Sequence, residues 1–247
     1  MNTMFSKRKF TKVLLLTAAL FTSFFSNASL TPVGDLLQVS VLIADNVQGN
    51  SNDCSGYFGQ GFEQCKITHV PSSDTTVFAE IMGKFEGGGA TQFAAPSQAS
   101  DWNFDVDGQT NEANPGENGT GQWNYTGTEY PGVSYWVAKA GSAGFILNWM
   151  IADNTDNRNT CASPDEFSVS CLSLAVSVTT GAWTTPLKTN GRAAGSPRDL
   201  SHISFYGNEC GNNCGGGPAS VVPEPSSIAL FALAFLGIAA RRKKFTL

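Results

Sequence analysis

The chain has 247 residues, 41% of them hydrophobic, and a formal charge of −5 from 15 Lys and Arg against 20 Asp and Glu. Eight of the basic residues fall within 1–28 and 223–247, so residues 29–222 carry seven basic against nineteen acidic side chains, a formal −12. A surface of that sign without a Lys/Arg cluster excludes nucleic acid and anionic lipid, leaves neutral, cationic or metal-bridged partners, and belongs to a stretch long enough for one domain with a real core.

Residues 1–28 read as a secretory signal peptide. Lys7, Arg8, Lys9 and Lys12 form the basic start, Val13–Phe25 the apolar stretch, and Ser26-Asn27-Ala28 a small-x-small site with cleavage between Ala28 and Ser29. An uncleaved N-terminal anchor is the alternative, but the apolar stretch is short for a span. The expected first partner is therefore the Sec export machinery.

Residues 29–214 read as an extracytoplasmic, all-β domain, a β-sandwich or jelly roll. Candidate strands are Leu36–Ala44, Val77–Phe85, Trp102–Val106, Gln122–Tyr125, Ser134–Lys139, Phe145–Ile151, Leu172–Val178 and Leu200–Tyr206. Each is short, rich in β-branched or aromatic residues, and bounded by Gly, Pro, Asn, Asp or Ser. In Leu172–Val178 apolar residues alternate with small or polar ones, the period of a half-buried strand. Gly87–Gly89 and Gln109–Gly121 read as exposed loops. Residues 215–222 form a Gly-rich linker, flexible until Pro218.

Six cysteines, an even number in an exported chain, point to disulfides. Proximity along the chain favours Cys54–Cys65, Cys161–Cys171 and Cys210–Cys214. Zinc is the competing explanation, but no paired C-x-x-C is present and Cys210-Gly211-Asn212-Asn213-Cys214 has the wrong spacing.

The last 25 residues differ from all of this. Pro223-Glu224-Pro225 is followed by Ser226–Ala240, fifteen residues without a charge, and then by Arg241-Arg242-Lys243-Lys244. As a helix the run is about 22 Å long, against a hydrocarbon core of about 30 Å, so it spans marginally. The basic cluster would stay on the cytoplasmic side and place everything before it outside. A buried amphipathic helix is the alternative, but the run is apolar all round. The motif, helix and basic cluster, with Arg241 and Arg242 next to the run, resemble the PEP-CTERM sorting signal of Gram-negative bacteria. The resemblance implies recognition by exosortase, cleavage near Pro223–Pro225, a transient membrane-anchored intermediate, and delivery to the cell surface or an exopolysaccharide matrix. A second resemblance, to a pattern recurring in other exported PEP-CTERM domains, rests on Tyr135–Gly141, Gly144-Phe145, Trp183 and Leu200–Gly207. It implies a β-sandwich-like domain and no activity.

Catalytic constellations are sparse. The two histidines are His69 and His202, and strand period turns His202 away from Ser201. No G-x-S-x-G elbow occurs. Carboxylate pairs such as Glu80 with Glu86, or Asp105 with Asp107, would serve a glycosidase if a groove lined by Trp102, Trp123, Tyr125, Tyr135, Trp136 or Trp149 lay beside them. Asn103-Phe104-Asp105-Val106-Asp107-Gly108 resembles the start of a calcium loop, with Asn103, Asp105 and Asp107 as oxygen ligands. Asn114 stands where the closing Glu belongs, so an Asx-rich turn competes. No other cofactor is expected. The expected function is a non-catalytic structural or glycan-adhering β domain with exopolysaccharide as partner; the alternative is a secreted carboxylate-dependent hydrolase.

Overall fold

The computed structural model describes residues 28–44, 53–69, 76–87, 91–106, 108–112, 114–141 and 143–208. Cys210, Cys214, Asp107, the linker and the C-terminal segment from Pro223 lie outside the described residues.

Among the described residues, twelve strands form two antiparallel sheets. Those of the larger sheet are β1 (Ala28–Val33), β2 (Leu36–Ile43), β3 (Lys66–Thr68), β4 (Val77–Glu86), β5 (Thr91–Phe93), β9 (Tyr135–Lys139), β10 (Phe145–Ala152) and β12 (His202–Gly207). They run in the order β1-β2-β10-β9-β12-β4-β3, with β5 also on β4. The smaller sheet holds β6 (Trp102–Val106), β7 (Gln109–Glu112), β8 (Thr120–Tyr125) and β11 (Thr180–Thr184) in the order β11-β8-β6-β7.

Strand period sorts the side chains into two cores. From β12, Ile203 and Phe205 point to the smaller sheet, where Trp102, Phe104, Trp123 and Tyr125 meet Phe85, Trp136 and Phe205. The Trp102 and Phe205 rings lie 4.2 Å apart and the Trp123 and Trp136 rings 5.2 Å apart, in the tilted and edge-on geometries that aromatic quadrupoles favour. The other face of the larger sheet, with Leu37, Val39, Val41, Leu147, Trp149 and Tyr206, is covered by irregular chain. That third layer consists of the 53–65 loop and two short helices, α1 (Thr155–Thr160) and α2 (Val169–Leu172), each tied by a disulfide. Every residue of β9 and β12 is consequently buried.

A reciprocal device stitches β8 to β11. Trp123 is the register partner of Gly181, and Trp183 of Gly121. Each indole lies over the glycine opposite: a Cβ on Gly181 would sit 2.6 Å from the Trp123 ring, and one on Gly121 would run into Trp183. Gly-x-Trp at 121–123 and again at 181–183 is the sequence trace of this pairing.

Two expectations are corrected. Leu172–Val178 is not a strand. Ser168 caps α2 by accepting from the Cys171 N–H and the Cys161–Cys171 bond holds the turn, so the apolar alternation survives only as bridges at Val176 and Val178. The 109–121 stretch is not all loop, since β7 occupies Gln109–Glu112 and pairs with β6. Trp102, Trp123, Tyr125, Tyr135, Trp136 and Trp149 are all buried in the two cores, so the aromatic-lined groove a glycosidase would need is not built from them, although Trp123 borders a hollow beside Asp105.

Candidate functional site

One open groove lies where β3 and β5 meet the same edge of β4. β3 pairs with the first half of β4, Lys66 opposite Glu80, and β5 with the second half, Gly83 opposite Phe93. A 3-10 turn over Phe62–Gln64 fills the approach, started by Gly61 at a φ of 128° and stopped by Cys65, whose disulfide to Cys54 pins it down. The hollow between these pieces is about 320 Å³, lined by Phe62, Glu63, Lys66, Glu80 and Phe93. It continues into one of about 420 Å³ that adds Gln60, Gln64 and Gln92. Phe93 is held edge-on against Phe85 with centroids 5.2 Å apart, and the missing side chain of Gly83 leaves room for its ring. Lys66 and Glu80 are paired at 2.6 Å, and the Glu80 side chain is 60% exposed. Two half-buried rings, three exposed glutamines and an ion pair make a surface that stacks on apolar faces and bonds hydroxyl groups.

The densest polar cluster is sealed under the third layer. Asp53, His202 and Ser204 are all buried. Asp53 accepts from Ser204 Oγ at 2.7 Å and pairs with His202 Nε2 at 2.7 Å, while Tyr206 Oη donates at 3.4 Å. Burial alone would raise the Asp53 pKa. Its attraction to His202, with hydrogen bonds from His202, Ser204 and the Cys54 N–H, overcomes that and holds the carboxyl well below the usual carboxylate range. Burial, and then the Asp53 charge, push the Tyr206 hydroxyl well above its ordinary value. Tyr206 Oη also lies 3.2 Å from Cys65 Sγ and 3.4 Å from Cys54 Sγ. His202 Nδ1 is 3.9 Å from Glu86.

This cluster is built unlike a hydrolase triad. Ser204 and His202 both bond Asp53, so the carboxylate is the hub and the imidazole is not bonded to the hydroxyl. Alternation along β12 puts His202, Ser204 and Tyr206 on one face, a pattern visible in the sequence. Asp53 comes from 149 residues away and left no such trace.

The remaining candidates are dispersed. Asn103 and Asp105 stand on extended β6, opposite Asn124 and Gln122, and line a hollow of about 450 Å³ with Thr180; Asp107 lies outside the described residues. Among the described residues no three His, Cys, Asp or Glu converge as metal ligands. Glu80 and Glu86 have separate lysine partners, Lys66 and Lys84. His69 packs its ring 5.5 Å from Phe167. Disulfides join Cys54 to Cys65 and Cys161 to Cys171, the pairings proximity favours; Cys210 and Cys214 are outside. Ala28 begins β1 as the partner of Val41, so a cut before Ser29 would remove only the first residue of that strand. Among the described residues no helix is long and apolar enough to cross a membrane.

The fold and disulfides describe a β-rich domain of layered, curled sheets. The family model of the PEP-CTERM protein-sorting motif matches residues 221–243, which include Pro223, Glu224, Pro225, Arg241 and Arg242. The chain thus carries a PEP-CTERM sorting motif at its C-terminus, which implies export and exosortase processing at the membrane. No curated protein and no solved structure matches the chain.

Proposed function

We propose that the domain is a non-catalytic, glycan-adhering module that exosortase processing delivers to the cell surface or an exopolysaccharide matrix. The observation that carries this reading is the groove with Phe62 and Phe93 among Gln60, Gln64 and Gln92. Sugar rings present apolar C–H faces ringed by hydroxyls, and an aromatic-plus-amide surface matches both. The rings are set by disulfide-tied and packed backbone, so little ordering entropy is lost on binding.

Glu63 and Glu80 line the same groove, which makes a carboxylate-dependent hydrolase the second reading. Adhesion is favoured because glycosidases hold their acid in an apolar pocket, whereas Glu80 is mostly exposed and tied to Lys66.

The test is retention of the exported protein on insoluble polysaccharides, with F62A/F93A beside the wild type. Adhesion predicts that the variant loses at least about tenfold in affinity, two stacking contacts of order 1 kcal/mol each, measured below its own melting transition, which falls because both rings also pack against the cores. Equal retention would sink the assignment of the groove.

A further inference from the structure

The seven cations between 29 and 222 are unevenly used. Lys66 pairs with Glu80 at 2.6 Å and Lys84 with Glu86 at 2.5 Å. Arg158 holds Asp153 through two bonds of 2.6 and 2.7 Å, and Lys139 is buried with its ammonium on the Gly141 carbonyl. The other three, Lys188, Arg192 and Arg198, lie in a single hairpin over residues 185–199. Its one carboxylate, Asp199, is 86% exposed and stands 3.7 Å from Lys188, a loose pair worth little in water. Arg192 is exposed near the hairpin tip, and Arg198 Nε donates to the Leu187 carbonyl at 3.3 Å, with no carboxylate partner among the described residues. This hairpin carries a formal +2 in a domain whose remainder carries −14, a local basic cluster that overall composition hides and that departs from the expectation of neutral, cationic or metal-bridged partners.

The hairpin is also held by backbone hydrogen bonds along its length and at its base. Lys188 N–H donates to the Ser196 carbonyl and Gly195 N–H to the Lys188 carbonyl, both at 2.8 Å, and Arg198 N–H donates to Pro186. Its base is tied down where Thr185 N–H donates to Gly119 and Leu200 N–H to Glu117. Leu187, 51% exposed, sets an apolar side chain beside the cations. Cations on a hydrogen-bonded hairpin are pre-positioned for spaced anionic groups, and Arg suits carboxylates through bidentate bonds.

We infer that the 185–199 hairpin docks an anionic polysaccharide, a chain bearing carboxylate groups, through Lys188, Arg192 and Arg198. This rests on reading the domain as a glycan adhesin and adds a second, charged contact to it. A slender polyanion fits better than an anionic membrane. At physiological salt, charges more than about 8 Å apart are largely screened, so a single chain meets only the hairpin. A lipid surface is broad and would also bring up the acidic remainder.

The test runs the exported full chain over immobilised polyuronate, neutral glucan and phosphatidylglycerol vesicles, with K188E/R192E beside F62A/F93A. Both charge-reversed side chains are at the surface, and an unchanged melting temperature checks the fold. The inference predicts polyuronate retention that weakens about tenfold between roughly 50 and 200 mM salt. It further predicts that K188E/R192E loses it while binding of neutral glucan, if present, is unaltered. Polyuronate retention equal in K188E/R192E and wild type would overturn it and leave the groove reading standing, as would vesicle binding stronger than polyuronate binding. Retention of the wild type by neither glycan would overturn both.

Discussion

Replacing Asp53 with Ala removes the acceptor on which His202, Ser204 and Tyr206 converge, in a site sealed from bulk solvent. Hydrogen bonds to a charged group contribute about 1.5–3 kcal/mol each, and breaking a buried charged pair from one side costs about 3–5 kcal/mol. Two such bonds at 2.7 Å place D53A at about 3–5 kcal/mol, a large part of a total of order 5–15 kcal/mol. For a domain of this size that is a fall of about 10–15 °C in melting temperature. D53N keeps the shape and one acceptor and should lose about half as much. The acid dependence separates charge from shape. Because the folded Asp53 pKa lies below the unfolded value of about 3.9, its stabilisation is complete above that pH and disappears as the pH falls toward the folded value. Urea unfolding of wild type and D53N at pH 7 and near pH 3 should therefore show the gap closing in acid. A D53A loss under about 1 kcal/mol, or a gap that stays constant with pH, would refute the hub role of this carboxylate.

Gly121→Val forces a side chain into the Trp183 ring and should destabilise by about 1–3 kcal/mol, read from urea midpoints; Gly121→Val with wild-type stability would refute the Trp-over-Gly pairing. Replacing Cys161 and Cys171 by Ser opens a loop of 10 residues' separation and should lower stability by about 2.5–3 kcal/mol, and reducing agent, which also opens Cys54–Cys65, should lower the wild type by at least as much. An unchanged midpoint in reducing agent would show that the third layer needs no such tie. Deleting residues 221–247 should release the protein into the medium, followed by immunoblot of cell and supernatant fractions; continued association with cells would contradict exosortase-dependent retention.

The C-terminal sorting motif and the strand-rich middle were legible in the sequence because they depend on local pattern. β2, β4, β6, β9 and β10 follow from alternation or short apolar runs bounded by turn residues, and their positions agree with expectation to within a residue or two. β3, β5 and β11 were not legible. Each is short, and Gly181 in β11 reads as a breaker until Trp123 is seen to cover it. The third layer was the larger omission. Irregular chain carries no period, so nothing announced that it would bury the exposed-looking side of β12 and turn His202-x-Ser204-x-Tyr206 into a partner for Asp53. The groove is illegible for the same reason: Phe62, Lys66, Glu80 and Phe93 come from four pieces of chain that meet only through strand pairing.

The most direct test of the adhesin account mixes the exported protein with exopolysaccharide isolated from the producing cells, scoring co-sedimentation and chain length together. The account predicts that the protein sediments with the polysaccharide, that F62A/F93A sediments markedly less, and that chain length stays constant. Shortened chains, with the effect abolished by E63Q or E80Q, would establish the hydrolase instead, and failure of the wild type to sediment would contradict adhesion.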